Sequence, residues 1–318
     1  MTPVQLSSPV YSNEEAARKH LEAIRWPDGV NCPLCGSTEG ARALGGESMG
    51  PGWYYCEDCQ SKFTVRTGTV YERSHVPLHK WILAFRLMAS SKKGFSAHQL
   101  HRTLGITYKT AWFMAHRIRE AMAPAKASGP LGGEGKVVEA DTTYVGGKEK
   151  NKHVGKRDPK KIGGAGKQIV HSLVERGGRV RSDHIANVSG KTLRPILMDQ
   201  VDRRSALMTD TAGGYFKLGK EFARHEMVDH GADEYVRGDA HSNTVEGYFS
   251  ILKRGVIGTY HHVSPKHLKR YLGEFDFRYN ERSALGIEDA ERTTRAIKGA
   301  EGKRLTYRQK SYRTELSA

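Results

Sequence analysis

Between Pro77 and Met122 apolar residues recur at helical spacing, with Trp81, Ile82, Phe85, Leu87 and Met88 forming a broad stripe, the pattern of a helix buried along one face. Ser96, after Gly94-Phe95, is placed to cap a short helix that holds Leu100 and Leu104 and that Gly105 ends. Thr107 is placed to cap a second helix, TYKTAWFMAHRIREAM. Its Ala111, Met114, Ala115 and Ile118 point inward in this reading, and Tyr108, Lys109, Arg117 and Arg119 point outward.

After a glycine-rich link the period changes from helical to alternating. KVVEADTTYVGG reads as a strand with Asp141 in its middle. KQIVHSLVERGG and RVRSDHIANVSG read as two further strands joined at a Gly-Gly turn. SGKTLRPILMDQV reads as a helix capped by Ser189, and SALMTD as a short buried strand ending on Asp210. Later, HSNTVEGYFSILKRG places Val245, Phe249 and Leu252 at helical spacing. Three strands in a meander, a helix and a further strand follow the element order of the ribonuclease-H-like α/β fold with a mixed sheet. In that fold the last strand runs parallel to the first, so Asp141 and Asp210 become neighbours.

The only four cysteines form two pairs, Cys32-Pro-Leu-Cys35 and Cys56-Glu-Asp-Cys59. A two-residue gap lets both thiolates of a pair reach one ion, and two pairs close a tetrahedral sulfur shell around one structural zinc. The segments GGESMGPGWYYC and QSKFTVRTGTVY between and after them look like short strands, so a small β zinc ribbon is expected.

Charge adds the partner. A formal net charge of +16, from 51 Lys and Arg against 35 Asp and Glu, favours a polyanion, with double-stranded DNA foremost. Two short helices broken by Leu-Gly-Ile then read as a helix-turn-helix, whose second helix offers Tyr108, Lys109 and Thr110 from its first turn, and Arg117 and Arg119 further along, to DNA. No stretch approaches the roughly 18 apolar residues of a membrane span, and the N-terminus lacks a signal-peptide layout. No membrane role is expected, and the expected location is the cytoplasm of a bacterial-type cell, at the nucleoid.

Asp141 sits among valines and tyrosine, where a carboxylate is unfavourable unless it is paired or bound to metal. On the late helix Asn243 and Glu246 share a face, with Lys253 two turns beyond Glu246. Asp141, Asp210 and Glu246 make a ligand set for two Mg²⁺ or Mn²⁺ ions of the kind used in phosphoryl transfer. Lys253, followed by Arg254, suits a phosphate.

The sequence resembles the ISXO-type insertion-sequence transposases, which join a zinc ribbon to a DDE domain. The likeness runs from about Cys32 to Arg282 and rests on CPLCGS, CEDC, FSAHQLHRTLGITYKTAWFMAHRIR, EADTTYVGGK, LMTDTAGGY and the block from HSNTVEGYFSILKRG to FRYNER. It implies Asp141 and Asp210 as metal ligands and Lys253 as the associated basic residue. The third catalytic position of the family is Asn or Glu, and both Asn243 and Glu246 are present; charge favours Glu246, with Asn243 assisting. Binding of terminal inverted repeats, cleavage of the transposon ends and joining of the 3′-hydroxyl to target DNA are further implications, as is a homo-oligomer, at least a dimer, on DNA.

The expected organisation is an N-terminal helical segment (1–30), the zinc ribbon (31–75), the helix-turn-helix region (76–123), a linker (124–135), a catalytic domain (136–282) with a basic loop (146–167), and a basic C-terminal tail (283–318). Two other functions share these features: a ribonuclease-H-like nuclease or resolvase that does not join strands, and a DNA-binding regulator with an inactive catalytic fold.

Overall fold

Asn13 opens the first helix by accepting the Ala16 N–H at 2.9 Å, and the amphipathic stretch that follows forms α1 (Glu14–Arg25). A computed structural model describes residues 6–46, 49–124, 129–147, 149–159, 163–211, 213–229 and 236–306. Parts of the expected linker (125–128), basic loop (148 and 160–162) and tail (307–318) lie outside the described residues. The chain divides into two units, one formed by 1–91, 95–123 and 287–318, the other by 92–94 and 124–286.

In the first unit β1 (Ala41–Ala43), β2 (Trp53–Cys56) and β3 (Ser61–Thr64) form an antiparallel sheet in that order. Trp26 packs edge-on to Tyr54 and Phe63, with ring centroids at 5.4 and 6.0 Å, giving this small sheet an aromatic core. Then come α2 (Leu78–Ser90), α3 (Ala97–Leu104) and α4 (Tyr108–Met122). The start of α3 is a full capping box: the Gln99 N–H donates to Ser96 Oγ at 3.2 Å, and the Ser96 N–H to Gln99 Oε1 at 2.9 Å. Gly105 ends α3 in the left-handed region at φ 59°, where a glycine is least strained. Thr107 caps α4 through the Thr110 N–H.

Two expectations are corrected here. Arg119 is 2% exposed and not turned outward. Arg117 is half-buried and donates to the carbonyls of Leu305 and Glu72, each at 3.2 Å. The reason lies in the segment read as a basic tail: residues Asp289–Lys298 form α8, which packs on α2, α1 and α4. It therefore covers faces of the helical unit that look solvated when the helices are read singly. Gly299 allows the close approach, because a Cβ there would collide with the Ala121 carbonyl.

In the second unit β4 (Val137–Val145), β5 (Gln168–Glu175) and β6 (Val180–Ile185) form the expected antiparallel meander. Helix α5 (Gly190–Gln200) leads into β7 (Ala206–Asp210), which runs parallel to β4. A strand not anticipated, β8 (Arg224–Val228), extends the parallel edge, so the sheet order is β6-β5-β4-β7-β8. Helices α6 (Asn243–Gly255) and α7 (Pro265–Asn280) complete the unit. This is the mixed-sheet ribonuclease-H-like architecture. The pleat of β4 sorts its side chains: Val138 and Ala140 join the core with α5, while Val145 joins the core with α6 and α7. Asp141, four residues before Val145, is thereby aimed at the α6 face.

Candidate active site

Asp141 occupies the middle of β4, opposite Ser172 of β5. On its other side the parallel register pairs Ala140 with Thr209, so the next step along both strands sets Asp141 beside Asp210, the last residue of β7. The Thr142 N–H donates to Asp141 Oδ1 at 2.6 Å. Burial pushes the Asp141 carboxyl up to about 7; the Thr142 N–H opposes this, the charges of Asp210 and Glu246 add to it, and Lys253 offsets part. Asp141 and Asp210 also act together on the phenol of Tyr215, which burial and then these two charges hold well above its ordinary range.

Glu246 lies on the first turns of α6 and accepts from Ser242 Oγ at 3.1 Å. With Asp141, Thr142, Lys253 and Arg254 it lines a groove of about 850 Å³ that continues past the end of α6. Asp210 reaches Asp141 from the neighbouring strand and is not a lining residue. Asn243, the first residue of α6, is exposed and stands outside that lining. The structure thus sets Asp141, Asp210, Glu246 and Lys253 near one another, with Asn243 on the first turn of the same helix as Glu246 and outside the groove lining. Three carboxylates of one charge around a half-buried strand form a set that a divalent cation would relieve. Their oxygens are not drawn as tightly as the cysteines: among the described residues, the one His, Cys, Asp or Glu group of three or more with ligand atoms all within 4.8 Å is Cys32, Cys35, Cys56 and Cys59.

Those thiols suit zinc. The Cys32 and Cys59 sulfurs are 3.7 Å apart and the Cys35 and Cys56 sulfurs 3.6 Å, close to the ~3.8 Å edge of a tetrahedron with Zn–S bonds near 2.3 Å. The Ser37 N–H lowers the Cys35 thiol, but desolvation and the facing thiols outweigh it and push Cys35 up to about 12. Binding of a cation by the four sulfurs would favour the thiolate form of Cys35 that its surroundings disfavour.

One residue of consequence escaped the sequence reading. Glu139, two positions before Asp141 and on the same face of β4, is completely buried. It accepts the N–H groups of Thr244 and Val245 at 2.8 and 2.9 Å and the Thr244 hydroxyl at 2.8 Å. Arg176 donates to it at 2.6 Å, and His241 Nδ1 lies 3.2 Å away. Glu139 therefore satisfies the open amide groups at the start of α6 and places a negative charge at the positive end of that helix. The helix carrying Glu246 is pinned to the strand carrying Asp141. The signal was visible as a second acid among apolar residues in KVVEAD, where only Asp141 seemed to need a reason.

At the surface of the helical unit, Tyr108 is exposed and its ring stacks on His98 at 4.3 Å, with Lys109 exposed beside it and Thr110 half-buried. Among the described residues no helix is long and apolar enough to cross a membrane.

Residues 130–280 match the ISXO2-like transposase domain, and residues 12–62 match the transposase zinc-ribbon domain. An uncharacterized protein in transposable element ISH50 of Halobacterium salinarum is 31% identical over 282 residues, covering 84% of this chain and 91% of that protein. A chain from the structure of the simian T-cell lymphotropic virus intasome in complex with PP2A regulatory subunit B56 gamma shares 16% identity over 56% of this chain, at a TM-score of 0.28. This protein spans 63% of that chain, and the likeness is too slight to support a conclusion.

Proposed function

This chain belongs to the family of ISXO2-like transposases, and from that premise we propose that Asp141, Asp210 and Glu246 form the catalytic centre of an enzyme that cuts insertion-sequence ends and joins them to target DNA. The observation that carries the reading is the convergence of carboxylates from β4, β7 and α6, with the Asp141 carboxyl raised by burial and by its two acidic neighbours.

Asp141, Asp210 and Glu246 would hold two Mg²⁺ or Mn²⁺ ions, which supply activation of the attacking oxygen and stabilisation of the leaving oxygen in phosphoryl transfer. Glu246 fills the third position in preference to Asn243, because it lines the groove, its charge acts on Asp141, and a carboxylate holds a divalent cation more strongly than a carboxamide. Lys253 places a point charge in the groove for a non-bridging phosphate oxygen. Arg254, also lining it, takes a backbone phosphate. The Thr142 amide and the Glu139 anchor keep the Asp141 and Glu246 carriers in register. In joining, a 3′-hydroxyl oxygen bonds to a target phosphorus as the target P–O3′ bond breaks; the proton leaves the attacking hydroxyl and another is gained by the departing oxygen.

Recognition of terminal inverted repeats falls to α3 and α4, with Tyr108, Lys109 and Thr110 at the leading end of α4 entering the major groove. Arg117 and Arg119 take no part, since one is committed to backbone carbonyls and the other is buried. Bringing two ends together calls for at least a homodimer on DNA.

The test combines Mg²⁺, a labelled duplex carrying the terminal sequence that flanks the gene for this chain, and a target plasmid. Wild-type protein is expected to cut the end and yield joined product, and Asp141→Asn to bind the duplex equally well while losing roughly 10²–10³-fold in cleavage. Cleavage without joining would mark a nuclease, and binding with no cleavage in either protein would mark a regulator.

A further inference from the structure

The groove does not end at the carboxylates. Beyond Lys253 the α-helix passes into a single π turn, Val256–Tyr260, and the lining goes on through Arg254, Ile257, Gly258 and Thr259 to Lys93. A π turn departs from regular helix geometry and is frequently retained at functional sites. Here it leaves Ile257 67% exposed beside three cationic side chains.

The turn is held firmly. The Tyr260 hydroxyl donates to the buried Glu274 at 2.7 Å, Glu274 is paired with Arg278, and the Tyr260 ring packs edge-on to Tyr271 at 4.8 Å. Lys93 is brought to the turn by two glycines. A Cβ on Gly255 would collide with the Lys93 carbonyl, and a Cβ on Gly94, at φ +101°, would collide with the Tyr260 ring. So KKG, which looks like a connector in the sequence, is built into the wall of the groove.

We propose that Lys93 and Ile257 form a subsite for the DNA strand leading away from the carboxylates, Lys93 taking a backbone phosphate and Ile257 packing against a neighbouring sugar or base. This rests on the transposase reading above. Length favours a strand over a small anion: from Glu246 to Ile257 is 11 residues, or roughly 16 Å of helix axis at 1.5 Å per residue, equal to about five nucleotide steps at ~3.4 Å each. Asp141 and Glu246 line the groove together with Lys253, whose charge acts on Asp141, and Arg254 and Lys93 also line it, as groups for phosphates that do not react.

The test measures equilibrium binding of the fluorescein-labelled terminal duplex by anisotropy in EDTA, between 50 and 200 mM KCl, a range in which phosphate contacts dominate the response. Lys93→Ala is expected to make the slope of log affinity against log salt shallower by about one, with Lys93→Arg restoring it. Ile257→Ala is expected to weaken binding by roughly tenfold with the slope unchanged. An unaltered slope in Lys93→Ala, or a slope that Lys93→Arg fails to restore, overturns the Lys93 contact; unchanged affinity in Ile257→Ala overturns the apolar one. If Asp141→Asn abolishes cleavage while these variants bind like wild type, the subsite fails and the transposase reading stands. If Asp141→Asn still cleaves, the reading itself falls and takes the subsite with it.

Discussion

Glu139 and Asp141 are two positions apart on one strand face and differ in what surrounds them. Glu139 is sealed among amide donors and Arg176, whereas Asp141 borders an open groove with other acids near it. Glu139→Gln would set an amide N–H₂ against donors that need an acceptor, and loss of one partner from a buried charged network costs about 3–5 kcal/mol. The expected result is a lower melting temperature and, at temperatures where the fold is intact, a fall in cleavage turnover with terminal-duplex affinity unchanged. Equal losses in turnover and affinity would reduce Glu139 to a purely structural role. His171 makes a separate residue-scale prediction. It is completely buried on β5 with neither ring nitrogen hydrogen-bonded to a described group, and burial lowers it to about 4. Its folded value lies below its unfolded one, so its contribution to stability is full above pH ~6.5 and is lost as the pH falls towards 4. Up to one proton is taken up on unfolding, on the order of 3 kcal/mol across that window. Denaturant titrations of His171→Leu at pH 7 and pH 4.5 are expected to show a smaller difference than wild type, and an equal difference would contradict this.

Elements with a strong local signature were legible and those completed by packing were not. Ser96, Thr107 and Ser189 open their helices as hydroxyl caps, and Gly105 closes one in the left-handed region. β4 followed from alternation, β7 from a short apolar run and α6 from helical spacing, which placed Asp141, Asp210, Glu246 and Lys253 on their elements, while the pairing of β4 with β7 came from the element order of a known fold. β8 was missed because Arg224-His225-Glu226 shows no apolar alternation; it is an edge strand that relies on pairing with β7. Helix α8 was missed because DAERTTRAIK is mostly polar, and the few positions it buries, among them Ala296 and Ile297, matter only once α8 is packed on α2, α1 and α4. The π turn, and with it Ile257, has no local sequence pattern of its own. The zinc ribbon is the element that depends most on a bound partner, its three strands being three or four residues each. Metal analysis is expected to find one zinc per chain. Stripping it with a chelator, or Cys56→Ser, is expected to open the Trp26, Tyr54 and Phe63 cluster and make residues 30–67 sensitive to trypsin. Resistance of the metal-free ribbon to trypsin would contradict a zinc-dependent fold.

At the scale of the whole molecule, a strongly basic chain sets Asp141, Asp210 and Glu246 near one another. With a net charge of +16 the chain suits a polyanion over its whole surface, so under the proposed function the groove beside Asp141 has to discriminate between binding a phosphate and cutting next to it. Cations supplied from solution to Asp141, Asp210 and Glu246 would provide that switch, since bare carboxylates offer the reacting phosphate no charge to hold it, whereas loaded ones present positive charge to it. The most direct measurement is an anomalous-scattering map from a crystal soaked in Mn²⁺. The account predicts a peak between Asp141 and Asp210, with Glu246 drawn towards it and the peak lost in Asp141→Asn. Manganese bound elsewhere, with Asp141, Asp210 and Glu246 bare at millimolar Mn²⁺, would contradict it.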